Sequence, residues 1–280
     1  MKPARVRSAL FTPGTEVERL RKAVTVGADA CIFDLEDSVP IARVTEARTT
    51  VAQALRELSG KARIWARVHP ASSPHMADDL AALPLDKADG VMLPKVGGAH
   101  DLEQCRTAIR AAKGPPDLPL IPIIESAAGV LNALDIAQSA EVFCLAFGRF
   151  DLAADVGVDP DSGSPAIASA RAAVVLSSRA ADLHPALDAP WIQIKDLEGL
   201  RAFAQQARND GFGGMLLIHP SHVQVVNEVF SPTADEIAWA RDIVTTAEQA
   251  ASAGRGAYAK DGAMVDEAII RRARSILDTV

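Results

Sequence analysis

Ile32-Phe33-Asp34-Leu35-Glu36-Asp37 places three carboxylates at the end of an apolar run, residues 30–35, that has the length of a buried strand. Carboxylates resist burial unless a cation, a metal or hydrogen-bond donors meet them. Something positive is therefore expected opposite this strand end. Two other runs finish on a cation, Ile64-Trp65-Ala66-Arg67-Val68 and Val91-Met92-Leu93-Pro94-Lys95. Two more finish on an acid: Glu125 follows Pro122-Ile123-Ile124, and Asp151 closes Phe147-Gly148-Arg149-Phe150-Asp151. Charges gathered at the ends of strands are how a parallel α/β fold builds a site.

Working outward, eight short apolar runs can be counted, at residues 8–12, 30–35, 63–68, 90–94, 120–125, 142–147, 191–194 and 214–219. Segments with helical spacing separate most of them: residues 17–26, 44–58, 102–112, 129–137, 166–181 and 197–209. Eight β–α alternations with right-handed crossovers predict a (β/α)8 TIM barrel over residues 1–230. An open doubly wound sheet is the alternative, but no G-x-G-x-x-G follows the first run. Thr233-x-x-Glu236 then reads as a capping box that opens a helix, Gly254-Arg255-Gly256 breaks it, and an amphipathic segment runs from Met264 to Leu277. Residues 231–280 are expected to be a C-terminal helical extension and lid, part of the same structural unit.

Composition narrows the function. A chain of 280 residues, 49% hydrophobic, is long enough for a barrel, which takes about 250. A net charge of −7 argues against nucleic acid as the main partner. No apolar run approaches the ~18 residues of a membrane span, and the N-terminus lacks the apolar core of a signal peptide. Three widely spaced cysteines without a C-x-x-C pair read as buried thiols of a reducing compartment. The expected setting is cytoplasmic, with a small-molecule substrate.

Glu125 and Asp151 end the fifth and sixth runs, so a barrel makes them neighbours. Mg²⁺ takes one or two carboxylates and leaves its other positions to water and substrate. The plainer alternative is two independent helix caps or surface ions. Arg67 suits a substrate carboxylate or a developing oxyanion, or serves as a structural partner of Glu36 or Asp37; the two roles are compatible. Lys95 is either a Schiff-base nucleophile or an ordinary ion pair. Gly148 and Arg149 can offer backbone N–H groups to an anion. His219 either touches substrate or is held by backbone, and His69 carries no spacing signal.

Together these residues resemble the citrate lyase β-subunit-like branch of the HpcH/HpaI aldolase family, from Arg7 to Leu277. The motifs that carry the resemblance are Arg7-Ser8-x-Leu10-Phe11-Thr12-Pro13-Gly14, Asp34-Leu35-Glu36-Asp37-Ser38-Val39, Ile124-Glu125-Ser126-Ala127-x-Gly129 and Phe147-Gly148-x-x-Asp151-Leu152. Ile218-His219-Pro220-Ser221 and Gly262-x-Met264-Val265-Asp266 continue the pattern. The resemblance implies a Mg²⁺-dependent carbon–carbon lyase acting on a hydroxyacyl-CoA of the citryl-, malyl- or citramalyl type. It implies Glu125 and Asp151 as Mg²⁺ ligands and Arg67 on the substrate. Glu36 and Asp37 would orient Arg67 and the metal's waters. Asp266 would sit on a lid that enters a neighbouring subunit of a homo-oligomer, a trimer or hexamer, and protonate the enolate. A thioesterase or free hydroxy-acid aldolase on the same metal site, or a subunit active only within a citrate-lyase-like complex, is the alternative. Val44, Met215 and His69 depart from lysine, lysine and asparagine in many relatives, which bears on the carrier more than on the metal.

Overall fold

In the computed structural model, which describes residues 5–252, 258–260 and 263–279, the eight strands expected of a barrel are present. They are β1 (Ser8–Pro13), β2 (Ala30–Asp34), β3 (Ile64–Arg67), β4 (Gly90–Leu93), β5 (Leu120–Ile124), β6 (Ala146–Phe147), β7 (Leu187–Asp188) and β8 (Gly214–Leu217). All pair in parallel in chain order, and β1 returns to β8 through Ser8 beside Met215, so the barrel is closed. Pairing is uneven around the ring. β1 and β2 match from Ala9–Ala30 to Pro13–Asp34, whereas β6 and β7 match only at Ala146–Leu187.

Alternation along each strand separates two cores. Ala30, Ile32, Trp65, Met92, Ile121, Ile123 and Leu216 fill the barrel interior. Cys31, Phe33, Val91, Ile124 and Leu217 face the other way and pack with the surrounding helices. Burial of side chains of this size stabilises by about 1.5–3 kcal/mol each. The helix Val44–Leu58 shows how the outer layer is written. Val44, Ala47, Val51, Leu55 and Leu58 recur every three or four residues and are buried. All three cysteines are free and buried, and burial pushes the Cys31 thiol up to about 11. No described helix is long and apolar enough to cross a membrane.

Several elements differ from the sequence expectation, which did not include the helices Arg149–Val156 and His222–Phe230. The seventh strand is Leu187–Asp188, not residues 191–194. Asp188 is fully buried beside Arg171 of the helix Pro165–Ala180, a polar residue in a place where apolarity was the guide. The apolar run 191–194 is instead a loop, with the Trp191 ring against Phe203 and its Nε1 donating to Asp196 O. The segment 129–137 is two short helices, Ala127–Leu131 and Ala133–Ala137, parted at Asn132, whose Nδ2 donates to Gly97 O. A helix His75–Ala82, absent from the expectation, packs Met76 and Leu80 inward. Its Asp79, wholly buried, accepts from Arg48 Nε at 2.8 Å and the His69 backbone at 2.9 Å.

The chain falls into two compact units, Met1–Phe230 and Ser231–Val280. In the second, Thr233 Oγ1 accepts from the Glu236 backbone while Glu236 returns the bond to the Thr233 N–H, the expected capping box. It opens the helix Ala234–Ser252, whose Ala240, Ile243 and Ala247 pack on Ile270 and Ala273 of the helix Glu267–Leu277. The expected break at Gly254-Arg255-Gly256 and the hinge at Gly262 lie outside the described residues.

Candidate active site

The inward parity of the barrel strands decides which side chains crown its mouth. One step beyond Ile32, Trp65, Ile123, Ala146 and Leu216 come Asp34, Arg67, Glu125, Gly148 and Ile218. All five line one cavity of about 330 Å³, together with Asp151 and the Phe11 ring.

Register sets Asp34 directly beside Arg67. Arg67 Nε and Nη2 donate to the two Asp34 oxygens at 2.6 Å each, a fork on a carboxylate. The Asp34 carboxylate also accepts from the Glu36 backbone at 3.0 Å and from the Ser38 hydroxyl. Burial opposes its ionisation, but the Arg67 and Ser38 donors hold its carboxyl below the usual range. The remaining Arg67 nitrogen, Nη1, meets Glu36 Oε2 at 2.8 Å and Asp37 Oδ2 at 3.3 Å. The guanidinium lies 4.6 Å from the Phe11 ring centre, which fixes its plane. Burial pulls the Arg67 pKa down, and its acids more than restore it. This arginine is permanently charged, oriented and rigid.

Lys95 Nζ reaches Glu36 Oε1 at 2.6 Å and Asp37 Oδ1 at 3.4 Å. Burial would lower its pKa, but these acids raise it, so the amine stays protonated. A protonated amine is no nucleophile, and the ion-pair reading of Lys95 is the one observed. Burial pushes the Glu36 carboxyl up, against the pull of Arg67 and Lys95.

Glu125 has a different environment. Its Oε1 accepts from the Lys95 backbone at 2.7 Å. Burial first, and the Asp151 charge second, push its carboxyl up to about 8. A buried carboxyl whose ionisation is made costlier by a neighbouring acid marks a place that a divalent cation would relieve. Gly148 supplies the room. A Cβ there would lie 2.4 Å from Glu125 Oε2, so only glycine leaves this carboxylate in place. Among the described residues, no group of three or more His, Cys, Asp or Glu is placed to hold a metal ion. Two carboxylates beside open space suit an ion that keeps most of its ligands as water or substrate oxygens, and that ion is Mg²⁺ rather than zinc.

The structure modifies three expectations and adds three residues, Asp34, Arg19 and Lys22. The Gly148 N–H donates to Ile124 O, so it is not free for an anion. The Arg149 guanidinium pairs with Asp161 at 2.9 Å and lies against the Phe150 and Phe203 rings, rather than on Glu125 or Arg67. Asp266 is exposed and caps the helix Glu267–Leu277, its Oδ1 accepting from the Ala268 and Ile269 backbone. Asp34, not named as a site residue from the sequence, is the main partner of Arg67. A second cavity, of about 310 Å³, shares Phe11 and Ile218 with the first and is lined by Arg19, Lys22 and His219. His219 is held by its own turn, where its Nδ1 accepts from the Ser221 backbone at 3.2 Å. Val44 and Met215, where relatives' lysines were noted, are both core positions.

A closed barrel with an acid-rich, arginine-bearing mouth defines a class of metal-assisted barrel enzymes. The chain belongs to the HpcH/HpaI aldolase/citrate lyase family, whose model matches residues 7–220. It is 35% identical over 280 residues to a citrate lyase subunit beta-like protein of Deinococcus radiodurans, covering 98% of this chain and 97% of that one. It is 36% identical over 272 residues to a (3S)-malyl-CoA thioesterase of Cereibacter sphaeroides, covering 97% and 93%. Among solved structures, Mycobacterium tuberculosis CitE in complex with magnesium, acetoacetate and coenzyme A superposes with a TM-score of 0.82 at 29% identity. That match covers 99% of this chain and 98% of that one.

Proposed function

We propose that this protein is a Mg²⁺-dependent carbon–carbon lyase that cleaves a 3-hydroxy-3-carboxyacyl-CoA of the citryl, malyl or citramalyl type. The products are a 2-keto acid and an acyl thioester. The observation that carries the reading is the placement, in one cavity, of a charged, rigidly held arginine with the carboxylates of Glu125 and Asp151, where the Asp151 charge adds to the cost of ionising Glu125. Glu125 and Asp151 would hold Mg²⁺, which when bound supplies Lewis acidity and a template for hydroxyl and carboxylate oxygens. Arg67, fixed by Asp34 and Phe11, would stabilise charge on the oxygen that becomes the ketone. Glu36 and Asp37 hold Arg67 in that orientation and would anchor water around the site. Asp266, presented by a neighbouring subunit of a trimer or hexamer, would protonate the departing enolate carbon.

Coenzyme A in the M. tuberculosis relative supports a CoA thioester here. The second cavity supports such a carrier: Arg19 and Lys22 line it and would offer cations to phosphate oxygens, and it shares Phe11 and Ile218 with the mouth. The thioesterase name of the Cereibacter relative keeps hydrolysis as a second reading on the same metal site. Product analysis with purified protein, Mg²⁺ and a panel of hydroxyacyl-CoAs tests both. A lyase releases a 2-keto acid and leaves the thioester intact; a thioesterase releases free thiol with the carbon chain unbroken. Release of neither from any member of the panel would overturn the proposal.

A further inference from the structure

Four described residues other than glycine have positive φ: Lys95 at 55°, Lys113 at 58°, Glu141 at 57° and Asp182 at 52°. Lys113, Glu141 and Asp182 lie in segments that lead from a helix toward the next strand, where a left-handed residue ends a helix in the ordinary way. Lys95 alone follows a strand, two residues after β4, at the mouth. A side chain in this region of φ is strained, and strain of this kind collects at functional sites.

The left-handed turn lets one residue act in two directions. Its backbone N–H points to Glu125 Oε1 at 2.7 Å, while its Nζ reaches Glu36 Oε1 at 2.6 Å. Glu36 in turn touches Arg67 Nη1, and Arg67 is clamped by Asp34. The contacts form an unbroken chain from β2 and β3, through Lys95, to Glu125 after β5. Without Lys95 the acids of the β2 end and the acid of the β5 end share no direct contact among those described. Glu36 would then be a buried carboxylate with Arg67 as its one remaining cationic partner among the described residues.

We propose that Lys95 is the positioning residue that fixes the separation between the Arg67 guanidinium and the Glu125 carboxylate. The proposal rests on the reading of Arg67 and Glu125 as the two working ends of the site. Lys95 is not among the residues that line the cavity of Arg67, Glu125 and Asp151. It sets where the two ends stand, and a displacement of about 1 Å in such a site can cost about a hundredfold in rate.

Glycine separates this role from a role in the fold, because it takes positive φ without strain and so removes the ammonium while relieving the backbone. Lys95→Gly and the nearly isosteric Lys95→Met are compared with wild type by crystal structure, by melting, and by kcat and KM on whichever thioester wild type turns over. In Lys95→Gly the melting temperature is expected within about 3 °C of wild type. In both variants kcat falls about ten- to a hundredfold with KM within about threefold, and the Arg67–Glu125 separation shifts by about 0.5 Å or more. Lys95→Arg, which keeps a cation, recovers part of kcat. Wild-type kcat in Lys95→Gly, or an unchanged separation, overturns the proposal; so does a loss of stability in Lys95→Gly as large as its loss of activity. If wild type turns over no thioester, the functional reading fails by itself, and the crystallographic separation alone decides the role of Lys95.

Discussion

Raising the pH should tighten Mg²⁺ binding, and Glu125 is the reason. Burial and Asp151 lift its carboxyl to about 8, so at pH 7 roughly nine-tenths of the metal-free protein carries a proton there. A metal ion can use that oxygen only after the proton leaves. The apparent affinity should therefore rise about tenfold per pH unit from pH 6 to about 8 and level off above, with close to one proton released per ion at pH 7. The same shift has a consequence for stability in the absence of metal. The folded carboxyl lies above its ordinary value of 4.5, so its contribution to stability is complete below that pH and is lost as pH rises through about 8. At about 1.4 kcal/mol per unit the loss has an upper bound of about 5 kcal/mol. Isothermal titration of Mg²⁺ at pH 6, 7, 8 and 9, in two buffers of different ionisation enthalpy, measures affinity and proton count together. A Glu125→Gln protein should show neither the proton release nor the pH slope. Affinity that is flat from pH 6 to 9 with no proton released would refute the reasoning, since it would mean that Glu125 is already ionised or is not a ligand.

Gly148→Ala should remove Mg²⁺ binding and destabilise by about 1–3 kcal/mol, because its Cβ would overlap the Glu125 carboxylate; binding isotherms and urea melts that match wild type would count against the cradle. Turnover should be abolished by EDTA, and borohydride with substrate should leave no adduct on Lys95 by mass spectrometry; an EDTA-resistant enzyme with a trapped lysine would reverse the assignment. Asp266→Asn and Arg67→Ala, each nearly inactive alone, should regain part of the activity when co-assembled. Verified mixed oligomers that recover nothing would confine Asp266 to its own subunit, and full activity of Asp266→Asn alone would end its proposed role.

Much of the barrel was legible because its strands obey simple rules. The runs at β1 to β5 and β8 are largely apolar, as strands buried on both faces are, and those at β2 to β5 finish on or just before a charge, Asp34, Arg67, Lys95 and Glu125. β7 escaped because it is two residues long and one of them is Asp188, whose burial depends on Arg171, a partner distant in sequence. The exposed apolar run 191–194 drew the assignment to itself. In the site, Arg67 and Glu125 could be read from position at strand ends, whereas Asp151, expected at one, stands in the first turn of the helix Arg149–Val156 that follows β6. Asp34 was visible in the opening motif; parity from Ile32 sets aside Asp37, but choosing Asp34 over Glu36 required knowing that the strand stops at Asp34, beside Arg67. Arg19 and Lys22 had no such signal: on a helix surface they read as solvated charge, and only the closure of β1 on β8 brings them to a cavity beside His219.

The single pairing position between β6 and β7 makes that junction the place where the closed cylinder has least backbone holding it shut. Glu125, in the loop after β5, and Asp151, in the first turn of the helix Arg149–Val156 that follows β6, stand on the β5–β6 side of this seam, and the Arg171–Asp188 ion pair lies beside it. Cooperative opening should therefore begin here, with the amides of Leu187 and Gly148 exchanging with solvent hydrogen sooner than those of β2. The barrel thus unzips first next to the two acids, so an ion bridging them would act as a clasp on the weakest line of the cylinder.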